Sequence, residues 1–291
     1  MINKKQLVQE ALMKALQIRQ RAKIPLTDAL CVYDFVEANG INEVRFTEIP
    51  SLEELYWKEA DAIFVSSLRP PGRQAFNCAH GFGHYVFGHG TCITGVPSNG
   101  YQPASFEPDE FLVDCFAGFL MMPRTTVSYG FAIRGWQLAT CTPLQVYTVA
   151  CWLGVGYATL IHHMRDVLKL ISRSHAESLA KTKPKQIRAG LMGDQTDQHV
   201  IVLDTHWTGR PVDIEIDDFV MLPPGSILSG DCITVVHEDA SSTIVRGVAP
   251  GDSGRISLLE TQWCAFLRVA RRGYCGRNLF RHLEDPDHVN G

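Results

Sequence analysis

Two histidines four residues apart, His80 and His84, constrain this chain more than any other feature. Residues 73–88 read as a helix, and on a helix positions i and i+4 share one face, one turn apart. Both imidazoles can then reach a single point, as the first two ligands of a tetrahedral zinc ion must. A third ligand is needed. Glu110 is the best candidate, on a helix expected over 107–121 and stopped by Pro123. Asp114 lies one turn further along the same face, placed to accept an imidazole N–H behind the metal or to serve as an alternative ligand. His89 is a rival third ligand, but it follows His84 one residue too soon for a three-histidine metal motif and Gly88 is misplaced for it. It reads as a helix-end residue or a support for a ligand.

In the zinc-peptidase motif H-E-x-x-H, the glutamate after the first histidine polarises water and shuttles its proton. In this chain that place is Gly81, which can do neither. Gly83 already weakens the same helix by about 1 kcal/mol, and a second glycine two residues away has no structural reason legible in the sequence. The expectation is therefore a metal-loaded site without its general base. A variant inactivated by a single base change is preferred to a natural pseudo-enzyme, and both to a site that recruits Asp114, His89 or Glu107 as base. Three neighbours are candidate substrate contacts: Asn77, Arg73 and Tyr85. Each has a plainer reading, in helix packing, on the solvated surface and in the core respectively.

Arg73-Gln74-Ala75-Phe76-Asn77-Cys78-Ala79-His80-Gly81-Phe82-Gly83-His84 resembles the R-x-x-F-x-x-A-H-E-x-G-H stretch of the ImmA/IrrE family of metallopeptidases. Glu110 to Ala117, running on to Leu120-Met121-Met122-Pro123, resembles that family's E-x-x-A-N-x-F-A…L-M-P helix, and Val146–Leu170 its later helical segment. The likeness covers roughly residues 10–170. It implies an α+β, zincin-like domain and a zinc endopeptidase that cleaves a helix-turn-helix repressor in a stress, phage or mobile-element response. It further implies one zinc ion per chain on His80, His84 and Glu110, with Gly81 where the catalytic glutamate belongs. The alternative is a non-catalytic metal-binding protein that regulates transcription or holds a repressor.

The rest of the chain sets the frame. A net charge of −4 provides no global field for nucleic acid. Nine cysteines at irregular spacing, without a C-x-x-C pair, read as buried reduced thiols. The N-terminus lacks the apolar run of a secretory signal and no stretch approaches the ~20 apolar residues of a membrane span, so a cytoplasmic protein is expected. Helices are expected over 3–22 and from Thr27 or Asp28 to Glu37, and strands at Val44–Phe46 and Ala62–Val65. Residues 91–106 read as a loop. Thr142-Pro143 opens a helix-turn-helix-like segment, 142–172, bent at Gly154. Residues 1–180 form the expected peptidase domain, 181–197 a linker, and 198–291 a β-rich sensing or docking domain with strands at 200–203, 212–216, 219–222, 232–237, 243–248 and 264–269. The helical segment carries too few cations to favour DNA binding, and Arg271, Arg272, Arg277 and Arg281 read as a solvated basic tail.

Overall fold

The computed structural model describes residues 3–95, 106–259 and 261–283. The fold is α+β, the class expected from the sequence. It packs as two compact units, Met1–Val127 with Cys275–Asn278 and Ser128–Tyr274 with Leu279–Gly291.

In the first unit, helix α1 (Lys4–Arg21) is capped by Asn3, whose side chain accepts the Lys5 N–H. Arg19 near its end is fully buried and donates to the carbonyls of Leu120, Pro25 and Asp28. These bonds hold residues 25–28 as an irregular turn, so α2 spans Val32–Glu37 and does not start at Thr27 or Asp28. Strands β1 (Glu43–Thr47), β2 (Leu52–Trp57), β3 (Ala62–Ser66), β4 (Cys92–Gly95) and the short β13 (Gly276–Arg277) form one sheet in the order β13-β1-β3-β2-β4. β1 and β3 run parallel, with Val44 beside Ile63, and β2 is antiparallel to both β3 and β4. The sequence reading passed over β2. Its segment Leu-Glu-Glu-Leu-Tyr-Trp lacks clean alternation, and Leu52, Glu53, Glu54 and Tyr56 are all buried. β4 likewise replaces the first part of the expected 91–106 loop; residues 96–105 lie outside the described residues.

Helix α3 (Pro71–Phe87) packs across β2 and β3 on one side and against α4 (Pro108–Met121) on the other. Gly83 permits that second approach. A Cβ there would stand 2.9 Å from Val113 Cβ and 3.2 Å from Phe116 Cδ1. α3 closes at Gly88, whose φ of +72° is the left-handed conformation glycine adopts without strain.

Helix α5 (Arg124–Ala132) spans the division between the units. The second unit holds α6 (Pro143–Leu153), α7 (Tyr157–His162), α8 (Arg173–Lys181) and α9 (Pro184–Met192). α6 starts as read, with the Thr142 hydroxyl accepting from Gln145 N–H and the Gln145 side chain accepting from Thr142 N–H. The chain bends by 104° between Pro143–Leu153 and Tyr157–Val167, and Arg165 pairs with adjacent Asp166. Two four-stranded sheets follow: β5 (Val200–Val202), β7 (Phe219–Leu222), β10 (Thr243–Gly247) and β9 (Ile233–Glu238), then β6 (Val212–Glu215), β12 (Cys264–Ala270), β11 (Gly251–Leu258) and β8 (Ser226–Ser229).

Several expectations change. Residues 184–192 are helix α9, not linker, because Pro184 sits at its first turn and Gly193 closes it at φ +75°. The compact units divide near residue 127, whereas the sequence drew its boundary at 181–197, and helices α6–α9 group with the strands that follow. The basic cluster is not a solvated tail: Arg277 is in β13, Arg281 is buried, and Arg272 lies 3.7 Å from Asp217. All nine cysteines are free thiols, but only Cys78, Cys141 and Cys232 are buried. No single helix among the described residues is long and apolar enough to cross a membrane.

Candidate metal centre

His80 and His84 project from the same face of α3, both buried, with stacked rings 5.1 Å apart. Their Nε2 atoms are 3.2 Å from each other. Glu110 reaches them from the first turn of α4, where the helix dipole favours an acidic residue. Its Oε2 lies 3.2 Å from His80 Nε2 and its Oε1 3.5 Å from His84 Nε2. In a tetrahedral site with bonds of 2.0–2.1 Å, adjacent ligand atoms are about 3.3–3.4 Å apart. The three separations, which engage the two Glu110 oxygens one to each histidine, lie near that spacing, so these residues fit a zinc-sized ion.

The other ring nitrogens are also engaged. His80 Nδ1 is 3.2 Å from Asp114 Oδ1, and His84 Nδ1 is 3.0 Å from His89 Nδ1. Asp114 falls there because it is one turn beyond Glu110 on α4. His89 falls there because the left-handed Gly88 turns the chain back, so that His89 N–H donates to His84 O at 2.9 Å. Each imidazole is thus held from behind while its Nε2 faces the common point, the arrangement that orients metal ligands.

The charges respond to this crowding. Burial disfavours an imidazolium at His80, but hydrogen bonds to Asp114 and Glu110 and the Glu54 charge raise it to about 10. Burial and the His80 charge lower His84 to about 4. The His80 hydrogen bond holds Glu110 below the ordinary carboxylate range.

Glu54 is the acid that sequence reasoning missed. It sits on β2, fully buried, with one oxygen accepting from Thr94 Oγ1 at 3.3 Å and the carboxylate also accepting from the Gly81 backbone N–H. Burial pushes it up to about 7. Glu54, His80 and His84 each offer a ligand atom within 4.8 Å of the others. Glu54 and Glu110 therefore compete for the place of third ligand. Glu110 lies 3.2 and 3.5 Å from the two Nε2 atoms, and Glu54 approaches them from the sheet side. The signal in the sequence was faint: a glutamate pair inside an apolar stretch.

The three candidate substrate contacts are engaged elsewhere. Arg73 Nε pairs with buried Glu53 at 2.8 Å, and Asn77 Nδ2 donates to the Glu53 carboxylate and carbonyl at 3.1 Å each. Tyr85 stacks on Phe82, meets Tyr56 edge-on and brings its hydroxyl to the Gly40 turn. Beside the histidines opens a cleft of about 460 Å³, lined by His84, His89, Cys92, Phe106, Glu107 and Glu110 among others. It gives an extended ligand access to the Glu110 side of the site.

No curated protein matches this chain at a significant level. Residues 40–162 match the IrrE N-terminal-like domain of the peptidase M78 family, a shorter span than the 10–170 expected and one that leaves residues 163–291 unassigned. That span contains β1–β4, α3 and α4, so the part of the chain that carries the histidine pair is similar to the IrrE N-terminal-like domain of that metallopeptidase family.

Proposed function

We propose that this chain is a zinc-dependent endopeptidase that acts on a helix-turn-helix transcriptional repressor in a stress, phage or mobile-element response. The single observation that carries the reading is the set of edges among His80 Nε2, His84 Nε2 and the Glu110 carboxylate, 3.2 to 3.5 Å long. These three residues would hold the ion. When bound, zinc polarises water and the carbonyl of the peptide to be cut. Asp114 and His89 fix the two imidazoles by their Nδ1 atoms, and the cleft beside Glu110 receives the peptide. The repressor as substrate is carried over from the family.

A second reading draws on Gly81: a metal-loaded protein that grips a repressor without cutting it. One experiment separates the two. Zinc content is measured on the full chain and on His84→Ala, and zinc-loaded protein is incubated with candidate repressors while new N-termini are sought by mass spectrometry. The proposal expects about one zinc per chain, lost in His84→Ala, and a cut repressor. Repressor bound but intact selects the second reading, and a wild-type chain that takes up no zinc sinks both.

A further inference from the structure

The space beside Gly81 is already filled. A Cβ at this position would meet Glu54 Oε2 at 2.6 Å and Ile63 Cγ2 at 3.1 Å. The side-chain room that a glutamate at 81 would use holds instead a carboxylate delivered from the sheet. Glu54 is fully buried, and its carboxylate is held beside the histidines by Thr94 Oγ1 and the Gly81 backbone N–H. Among the described residues, Glu54 joins His80 and His84 within 4.8 Å. Of the other candidate bases, Asp114 is committed to His80 Nδ1 and His89 to His84 Nδ1, and Glu107 stands at the head of α4 in the cleft lining, outside the Glu54–His80–His84 group.

We propose that Glu54 is the catalytic base of this site, supplying from β2 the carboxylate that helix position 81 lacks. The inference rests on the metallopeptidase reading above. A water at the site gives one proton to Glu54 as its oxygen bonds to the peptide carbonyl carbon. Glu54 then returns that proton to the peptide nitrogen as the C–N bond breaks and its electron pair leaves with nitrogen, so that a new carboxyl and a new amino terminus result. Gly81 is then a requirement of the site and not a lesion, since any side chain there displaces Glu54. Both glycines of the motif gain a reason: Gly83 admits α4, and Gly81 admits Glu54.

The test uses the full chain as wild type, Glu54→Gln, Gly81→Glu and the double variant Glu54→Ala/Gly81→Glu. Each is titrated with cobalt(II) alone, followed by visible absorption, and each is zinc-loaded and exposed to a proteome-derived peptide library read for new termini. Glu54→Gln is expected to bind cobalt within about threefold of wild type and to cut at least ~100-fold more slowly, the usual effect of losing a general base. Gly81→Glu alone is expected to cut no faster than wild type, because two carboxylates then contend for one space. The double variant, with its base moved back to the helix, is expected to exceed Glu54→Gln by at least tenfold. A tenfold or larger loss of cobalt affinity in Glu54→Gln would make Glu54 a ligand and overturn the proposal. Cleavage by Gly81→Glu where wild type has none would overturn it too, while leaving the metallopeptidase reading intact. Failure of every variant, wild type included, to bind cobalt would instead refute that underlying reading.

Discussion

Replacing Gly83 by alanine tests whether the close approach of α3 and α4 builds the metal centre. The added Cβ would lie 2.9 Å from Val113 Cβ, 3.1 Å from Val113 Cγ1 and 3.2 Å from Phe116 Cδ1. Both neighbours are fully buried, and Val113 Cβ is tied directly to the α4 backbone, so no rotamer change relieves the nearest contact. Carbon atoms settle at about 3.5–4.0 Å, so α4 must retreat by roughly 0.6–1 Å. Overpacking of this kind costs about 1–3 kcal/mol, and alanine returns about 1 kcal/mol of helix propensity. The metal-free protein should therefore lose about 0–2 kcal/mol. Metal affinity should suffer more, because Glu110 rides on α4 while His80 and His84 stay on α3. Ligand positions tolerate only about 0.2 Å, so a drop of at least ~10-fold is expected, which is about 1.4 kcal/mol. Urea unfolding of the metal-free protein and competition titration with a zinc indicator measure the two quantities. A Gly83→Ala protein that is stabilised by the full helix-propensity gain, or that binds zinc as tightly as wild type, would refute the reasoning.

Three further outcomes are expected. Zinc at about 1,000 times its dissociation constant should stabilise the chain by about 4 kcal/mol, so a chelator should lower its melting temperature; equal melting curves with and without chelator would contradict a zinc site in the folded state. Arg19→Met should cost about 3 kcal/mol in chemical denaturation, because it strips donors from the buried Leu120 carbonyl and from the 25–28 turn; a change under about 0.5 kcal/mol would show that those bonds are dispensable. Asp213 gives a pH signature in the second unit. Burial works against its charge, but two hydrogen bonds from Arg268, at 2.6 and 2.8 Å, bring it down to about 2. A depressed carboxylate stabilises the fold above its unfolded pKa, about 3.8, and that contribution is lost as pH falls through about 2. Asp213→Asn should thus trail wild type by about 2 kcal/mol near pH 6, with the gap closing between about pH 4 and pH 2. A gap that stays constant over this range would rule out the assignment.

The histidine pair and its acidic partners were legible because helices have a fixed period. Once residues 73–88 and 107–121 read as helices, spacing alone placed His80 with His84 and Glu110 with Asp114, each pair on one face. The observed helices, Pro71–Phe87 and Pro108–Met121, differ from those bounds by two residues or fewer. Six strands of the second half were legible by their alternation. β8 and β11 were not, since Gly251-Asp252-Ser253-Gly254-Arg255 has too little apolar content to announce a strand. β2 escaped for the opposite reason: too many consecutive positions are buried for a period of two to show.

Local sequence thus determined which residues could share a helix face, and with them two histidines and two acids of the site. It could not say which element would lie against that face. Only the tertiary structure decided that β2 runs between β3 and β4 beneath α3, and so brings Glu54 to Gly81 across 27 positions of sequence. The physical reason is that helical periodicity is a property of the chain's own backbone, whereas strand pairing and buried charge depend on neighbours supplied from elsewhere. Gly81, which in the sequence marks a missing side chain, is in the folded protein the place where another residue's carboxylate fits.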